Sequence, residues 1–148
     1  MALGPVDNPR AILREIYVRG PTARSDLAHA TGLTGAAVSR ITRTLLDDGI
    51  LVEGEKLDVS GKLGRKFVAL NFSTTRYVVG IGIQAVAQWI EVADLQGKVI
   101  GRKMMAMPKI SDPDIVLDQC AKELGELFKR HKISRRSVCG IGLSIAGV

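Results

Sequence analysis

The sequence predicts an α+β chain in two parts, a winged helix-turn-helix followed by a mixed sheet with one covering helix. Three observations carry this. The apolar pattern has a helical period from residue 9 to about 48 and a strand-like one from residue 77 onward, changing once between Asn71 and Tyr77. A glycine corner, Thr31 to Leu33, joins two helical patterns. A strand, a polar glycine-bearing loop and a second strand then follow the third helical pattern, which is the order of a β-wing. The expected division is 1–72 for the winged helix and 77–148 for the sheet-bearing lobe.

Pro9 to Val18 reads as the first helix, with Asn8 as its cap and Ile12, Leu13 and Ile16 as its apolar stripe. Gly20-Pro21 ends it. Thr22 to Ala30 reads as a short second helix with Leu27 and Ala28 inward. Gly32 supplies the positive φ of the corner, and Thr34 caps a third helix running to about Asp48. Val38, Ile41 and Leu45 share one face of that helix, and Gly49 stops it. Ile50 to Val52 begins a strand, Glu53 to Gly64 is a polar loop, and Arg65 to Leu70 returns as a strand. Beyond them, Tyr77 to Ile83, Ala87 to Ala93 and Val99 to Met107 read as strands. Leu95 to Lys98 forms the turn before the last of these. Asp112 to His131 is an amphipathic helix with Ile115, Val116, Cys120, Leu124, Leu127 and Phe128 inward, and Val138 to Val148 is an apolar fourth strand. Three antiparallel strands should pair, with the fourth returning parallel beside the first after the helix crossover.

Composition narrows the class without naming a function. Hydrophobic content of 46% and charged content of 24% suit a globular protein rather than a disordered one. A net charge of +6 favours a polyanionic partner. Cys120 and Cys139 have no metal or redox spacing and read as buried reduced thiols. No start resembles a signal peptide and no run approaches the roughly 18 apolar residues of a membrane span, so a cytoplasmic protein without a membrane partner is expected.

A helix-turn-helix places its second helix in the major groove, about 12 Å wide, while the first braces it. This needs a small residue in the first helix, a tight corner and an apolar anchor in the second. Ala28, Gly32 and Val38 meet those needs. The outward residues of the third helix are Thr34, Gly35, Ala36, Ser39, Arg40 and Arg43, all small, hydroxylic or cationic. Small residues allow close approach to base edges, hydroxyls bond phosphates or bases, and arginine pairs with guanine or phosphate. The wing carries Lys56, Lys62, Arg65 and Lys66 against Asp58, a loop suited to a phosphate backbone or a minor groove. Arg24, Thr34, Gly35, Ala36, Ser39, Arg40, Arg43, Lys62, Arg65 and Lys66 are the candidate DNA-binding residues; no catalytic, cofactor-binding or metal residue is expected.

The run from Arg24 to Arg40 (RSDLAHATGLTGAAVSR) resembles the helix-turn-helix of the ROK family of repressors, open reading frames and kinases. Residues 45–53 (LLDDGILVE) and Gly64-Arg65 also fit that family's repressors. Residues 79–83 (VGIGI) with 90–97 (IEVADLQG) resemble the first hairpin of its actin-like sugar-kinase domain, and 140–147 (GIGLSIAG) resembles its fourth strand and turn. The resemblance covers nearly the whole chain but only the beginning of the family's usual length. It implies a partial actin-like (RNase H-like) α/β lobe after the winged helix. It also implies a repressor of sugar uptake or catabolism genes, with a sugar effector expected only in a full-length protein. Two departures speak against kinase chemistry. Gly82-Ile83-Gln84-Ala85-Val86 stands where the family's kinases have an Asp-x-Gly-Gly-Thr phosphate loop, and their distal catalytic and zinc residues lie beyond this stretch. Gly140 and Gly142 read instead as close strand–helix packing.

The expected function is therefore a sequence-specific DNA-binding regulator, not an enzyme, that binds inverted-repeat double-stranded DNA as a homodimer or higher homo-oligomer. A sugar kinase with an appended DNA-binding domain is the alternative. A shortened regulator without an effector response is a third possibility. Apolar surface left open on the partial lobe should favour association.

Overall fold

The computed structural model describes residues 8–57, 67–85, 87–106 and 112–146. They form two compact units that divide between Ser73 and Thr74.

The first unit contains α1 (Asn8–Arg19), β1 (Thr22–Ala23), α2 (Arg24–Thr31), α3 (Gly35–Asp47), β2 (Leu51–Leu57) and β3 (Phe67–Phe72). Its core is one cluster to which nearly every element contributes from its apolar face: Ile12 and Ile16 of α1, Leu27 of α2, Val38, Ile41 and Leu45 of α3, Leu51 of β2 and Leu70 of β3. Removing this much apolar side chain from water, roughly 2 kcal/mol for each fully buried Leu or Ile, holds three short helices that would not persist alone. Asn8, expected as a cap, is the first helical residue.

Thr22 and Ala23 are not helical. They form a buried two-residue strand paired with Leu70 and Ala69 of β3, completing an antiparallel sheet of order β1-β3-β2. The reason is non-local: buried backbone needs partners, and β3 supplies them. β2 also continues past Val52 to Leu57, with a register slip between Glu53 and Lys56. Ladder pairing uses backbone groups and tolerates the polar side chains that read as loop.

The second unit contains β4 (Tyr77–Ile83), β5 (Ala87–Asp94), β6 (Val99–Ala106), α4 (Pro113–Arg130), a 3-10 turn at Arg135–Ser137 and β7 (Val138–Ile145). The sheet order is β6-β5-β4-β7, with β7 parallel to β4 and the other pairs antiparallel, as the crossover required. Asp112 caps α4 by accepting from the Asp114 N–H at 2.9 Å, and Pro113 occupies the first turn. Cys120 and Leu127 of α4 pack with Val79, Ile90, Val92, Met105 and Ile133. Gln88, wholly buried, accepts from the Cys120 thiol at 3.0 Å, and burial pushes that thiol's pKa up. The β5–β6 turn is closed by Asp94, whose carboxylate accepts from the Gln96 and Lys98 N–H groups, with Gly97 at φ 85°.

Three expectations for this unit fail. Ile115 is 45% exposed, because the packed stripe is set by Val116, Cys120 and Leu127, and Ile115 sits about 100° around the helix from Val116. Cys139 is exposed. Tyr77 pairs with Val138 and Val78 with Gly140, so Cys139 is the extra residue of a bulge on the outer strand. Gly140 and Gly142 do not mark close packing. A Cβ at Gly140 would meet open space, and one at Gly142 only the Val79 carbonyl at 3.9 Å. The expected open apolar surface is present among the described residues: Ile141, Leu143 and Ile145 of β7 are each more than half exposed. They sit in register with Val79, Ile81 and Ile83, while α4 packs over β5 and β6.

Candidate nucleic-acid interface

The corner between α2 and α3 is built by short-range chemistry. Gly32 ends α2 at φ 71°, its N–H bonded to the Ala28 carbonyl at 3.0 Å. The Thr31 hydroxyl donates to the Leu27 carbonyl at 2.6 Å. Thr34 caps α3 as expected, accepting from the Ala37 N–H at 3.2 Å. The remaining first-turn N–H groups of α3, and the positive end of its dipole, are directed outward beside Gly35 and Ala36.

α3 is sharply two-faced. Val38, Ile41, Thr42 and Leu45 are buried, whereas Thr34, Gly35, Ala36, Ser39, Arg40 and Arg43 are exposed. The structure therefore brings six of the ten candidates together on one surface. No neighbour within 4 Å requires a glycine at position 35, so its smallness leaves room on the outer side rather than serving internal packing. The polarity of this face also runs along the helix. Its first half is neutral or cationic, and its last turn carries the exposed carboxylates Asp47 and Asp48. Phosphate is attracted to the first half and repelled by the last turn.

Arg24 has a different setting. Its Nε donates to the buried Thr42 hydroxyl at 3.2 Å, and its terminal nitrogen pairs with Glu53 at 3.0 Å. The first residue of α2 thus ties α3 to the base of the wing. Arg24, Ser39, Arg40, Arg43, Leu46, Asp47 and Glu53 surround an open concavity of about 790 Å³. Asp47 and Glu53 were missed by sequence reasoning. The Asp47-Asp48 pair at a helix end was the visible signal, whereas nothing local announced the Arg24–Glu53 pair. Lys62, Arg65 and Lys66, like the Gly64-Arg65 motif, lie outside the described residues.

A second location bears on chemistry. Gly82 pairs with Trp89 across β4 and β5, and a Cβ at Gly82 would collide with the indole nitrogen. One at Gly80 would stand 3.3 Å from the same ring. Position 82 therefore cannot accept a carboxylate unless Trp89 moves. Among the described residues no group of three His, Cys, Asp or Glu is gathered as a metal site would need, and no helix is long and apolar enough to cross a membrane.

Residues 7–52 match a family model described as winged helix-turn-helix DNA-binding. The chain is 29% identical over 138 residues to a transcriptional regulator of Mycobacterium tuberculosis, covering 93% of this chain and 31% of that protein. It is 24% identical over 142 residues to the DNA-binding transcriptional repressor Mlc of Escherichia coli, covering 95% and 34%. It is 27% identical over 103 residues to an N-acetylglucosamine repressor of Escherichia coli, covering 69% and 25%. A crystal structure of a ROK family transcriptional regulator, a homologue of the E. coli Mlc protein, shares the fold with a TM-score of 0.69 at 24% identity, over 95% of this chain and 35% of that one. The chain thus spans about a third or less of the length of these relatives.

Proposed function

We propose that this chain is a sequence-specific DNA-binding transcriptional regulator of the ROK type; its winged helix-turn-helix match and its similarity to transcriptional regulators and to the fold of a ROK family regulator support this reading. The observation that carries the reading is the outer face of α3. Its first half is free of acid, it gathers hydroxyls, small residues and two arginines, and the opposite face is anchored by Val38, Ile41 and Leu45. In this reading α3 enters the major groove, Thr34 and Ser39 bond phosphates or bases, and Arg40 reaches a base edge. Gly35 and Ala36 allow the approach, and Arg43 meets the backbone. Lys62, Arg65 and Lys66 of the wing add phosphate or minor-groove contacts. Arg24 acts first through Thr42 and Glu53, positioning α3 against β2. A winged helix reads few base pairs, so the chain works as a homodimer or higher oligomer on an inverted repeat, in the cytoplasm and without catalysis. Repression of sugar uptake or catabolism genes, with a sugar as effector of the whole protein, is supported by the similarity to an N-acetylglucosamine repressor.

The sugar kinase alternative is disfavoured by one observation: the position of the family's phosphate-loop carboxylate is Gly82, and Trp89 occupies the space a side chain would need.

The test is titration of labelled cognate and scrambled duplexes, the cognate site taken from a footprint upstream of the protein's own gene. Arg40→Ala should cost about 1–3 kcal/mol on the cognate site and relax preference at one base pair. Arg65→Ala should weaken all sequences evenly, and a phosphate contact would make the log–log salt dependence shallower by about one unit. If both variants match wild type at every salt concentration, the recognition surface is elsewhere.

A further inference from the structure

The segment 129–136 holds Lys129, Arg130, Lys132, Arg135 and Arg136, together with His131, and contains no acid. All six side chains are exposed, and among the described residues none of the five Lys and Arg side chains is in an ion pair. The cluster is rigidly held. Leu127 and Ile133, both buried, bracket it from beneath. The His131 N–H bonds the Leu127 carbonyl at 3.0 Å, and the Ile133 N–H bonds the Phe128 carbonyl at 2.8 Å. Ser134 then caps the 3-10 turn by accepting from the Arg136 N–H at 3.3 Å. Lys132 turns the chain at φ 55°, a left-handed conformation that glycine or asparagine adopts with less strain.

Helix-end electrostatics accounts for part of this cluster. Lys129 and Arg130 lie in the last turn of α4, where cations complement the helix dipole. Lys132, Arg135 and Arg136 lie beyond the helix, and that explanation does not reach them. The Arg76 side chain donates to the Arg136 carbonyl at 2.9 Å and fixes the far end of the cluster.

We infer that Lys132, Arg135 and Arg136, with Lys129 and Arg130, form a second phosphate-binding surface, on the sheet-bearing unit, that contacts the DNA backbone without reading sequence. The inference rests on the DNA-binding reading above. The partner chemistry follows from the composition. Protein–protein interfaces centre on aromatic or apolar anchors; segment 129–136 itself exposes none, and Arg135 alone of the cluster borders the concavity lined by Leu124, Phe128, Val138 and Ile141. Preorganised cations without an apolar centre suit a regular row of phosphates, and such cations set register and supply affinity without reading sequence.

The test compares the 148-residue chain with the triple variant Lys132→Gln/Arg135→Gln/Arg136→Gln on a labelled duplex of mixed sequence, about 40 bp long, from 50 to 200 mM salt. The three side chains are exposed and the Arg136 carbonyl is retained, so the melting temperature should hold. Each phosphate no longer neutralised should make the log–log salt slope shallower by about 0.9, removing about a 3.5-fold share of the affinity drop over that fourfold salt range. The inference expects two to three phosphates to be released in this way, and the charge-keeping variant Arg135→Lys/Arg136→Lys should retain the wild-type slope. An unchanged slope in the triple variant, with wild type binding DNA, overturns the inference and leaves the α3 reading standing. Abolished binding to poly-L-glutamate with DNA binding unchanged assigns the cluster to an acidic polypeptide and also overturns it. If the wild-type chain binds no duplex at any salt, both readings fall together.

Discussion

Replacing Arg24 with alanine removes two interactions that tie α2 to α3 and β2, and the structure bounds what each is worth. The hydrogen bond from Nε to the Thr42 hydroxyl is charge-assisted, and the hydroxyl is wholly buried. Such bonds contribute up to about 1.5–3 kcal/mol, but the arginine side chain is a third exposed, which lowers the figure. Thr42 is not orphaned, because its hydroxyl also donates to the Ser39 carbonyl at 3.3 Å. The Glu53 carboxylate is half exposed, so the ion pair adds about 0–1 kcal/mol and is screened by salt. Together these give a loss of about 1–2 kcal/mol, which for a unit of this size lowers the melting temperature by about 5–15 °C. Thermal unfolding followed by far-UV circular dichroism would measure it, and a double-mutant cycle with Glu53→Gln should return a coupling below about 1 kcal/mol that shrinks at high salt. DNA affinity should fall only as far as the unit loosens. An Arg24→Ala variant that melts like wild type yet binds DNA far more weakly would refute this reasoning and place the guanidinium on the nucleic acid.

Other outcomes follow from single neighbours. Gly82→Asp should destabilise the second unit by about 1–3 kcal/mol through collision with Trp89, and should bring no sugar-dependent ATP turnover in a coupled assay. Leu27→Ala should cost the winged-helix unit about 2–5 kcal/mol, read by urea denaturation. Of the two thiols, exposed Cys139 should react with an aromatic disulfide reagent in the native protein. Cys120, whose pKa burial raises and which is enclosed beside Gln88, should react only on unfolding, and equal native rates would contradict its placement.

The residues that could be read from sequence are those whose environment is determined within a few positions. Thr34 as a cap, Gly32 as a corner and the Val38–Ile41–Leu45 face depend on helix geometry alone, and all stand as expected. So do the four strands and the parallel return of β7, because alternation and one helix crossover leave few topologies. What escaped was decided by distant partners. Thr22 and Ala23 are extended only because β3, nearly fifty residues on, offers backbone groups. Arg24 meets Glu53 across 29 positions, and Trp89 finds Gly82 through strand register. Cys139 is exposed because a bulge shifts it out of the pairing, and one extra residue leaves no mark in an apolar run. For the candidate interface, residue types and helix face were readable, while the neighbouring carboxylates that limit it were not.

Trp89 also makes the protein its own two-channel reporter. It is the single tryptophan of the chain and lies in the second unit, on the β5–β6 face beside Glu91 and Arg102, whereas the three helices of the first unit carry Tyr17 as their one aromatic residue. Indole emission therefore follows the sheet unit alone, and the helical far-UV signal is weighted toward the winged helix. Two domains that unfold independently would give non-coincident curves in these two channels, and domains that unfold as one would superimpose. Any ligand of the second unit would shift the emission curve first. Transfer of that shift to the helical curve would measure, in a single titration and without a label, how strongly the two units are energetically coupled.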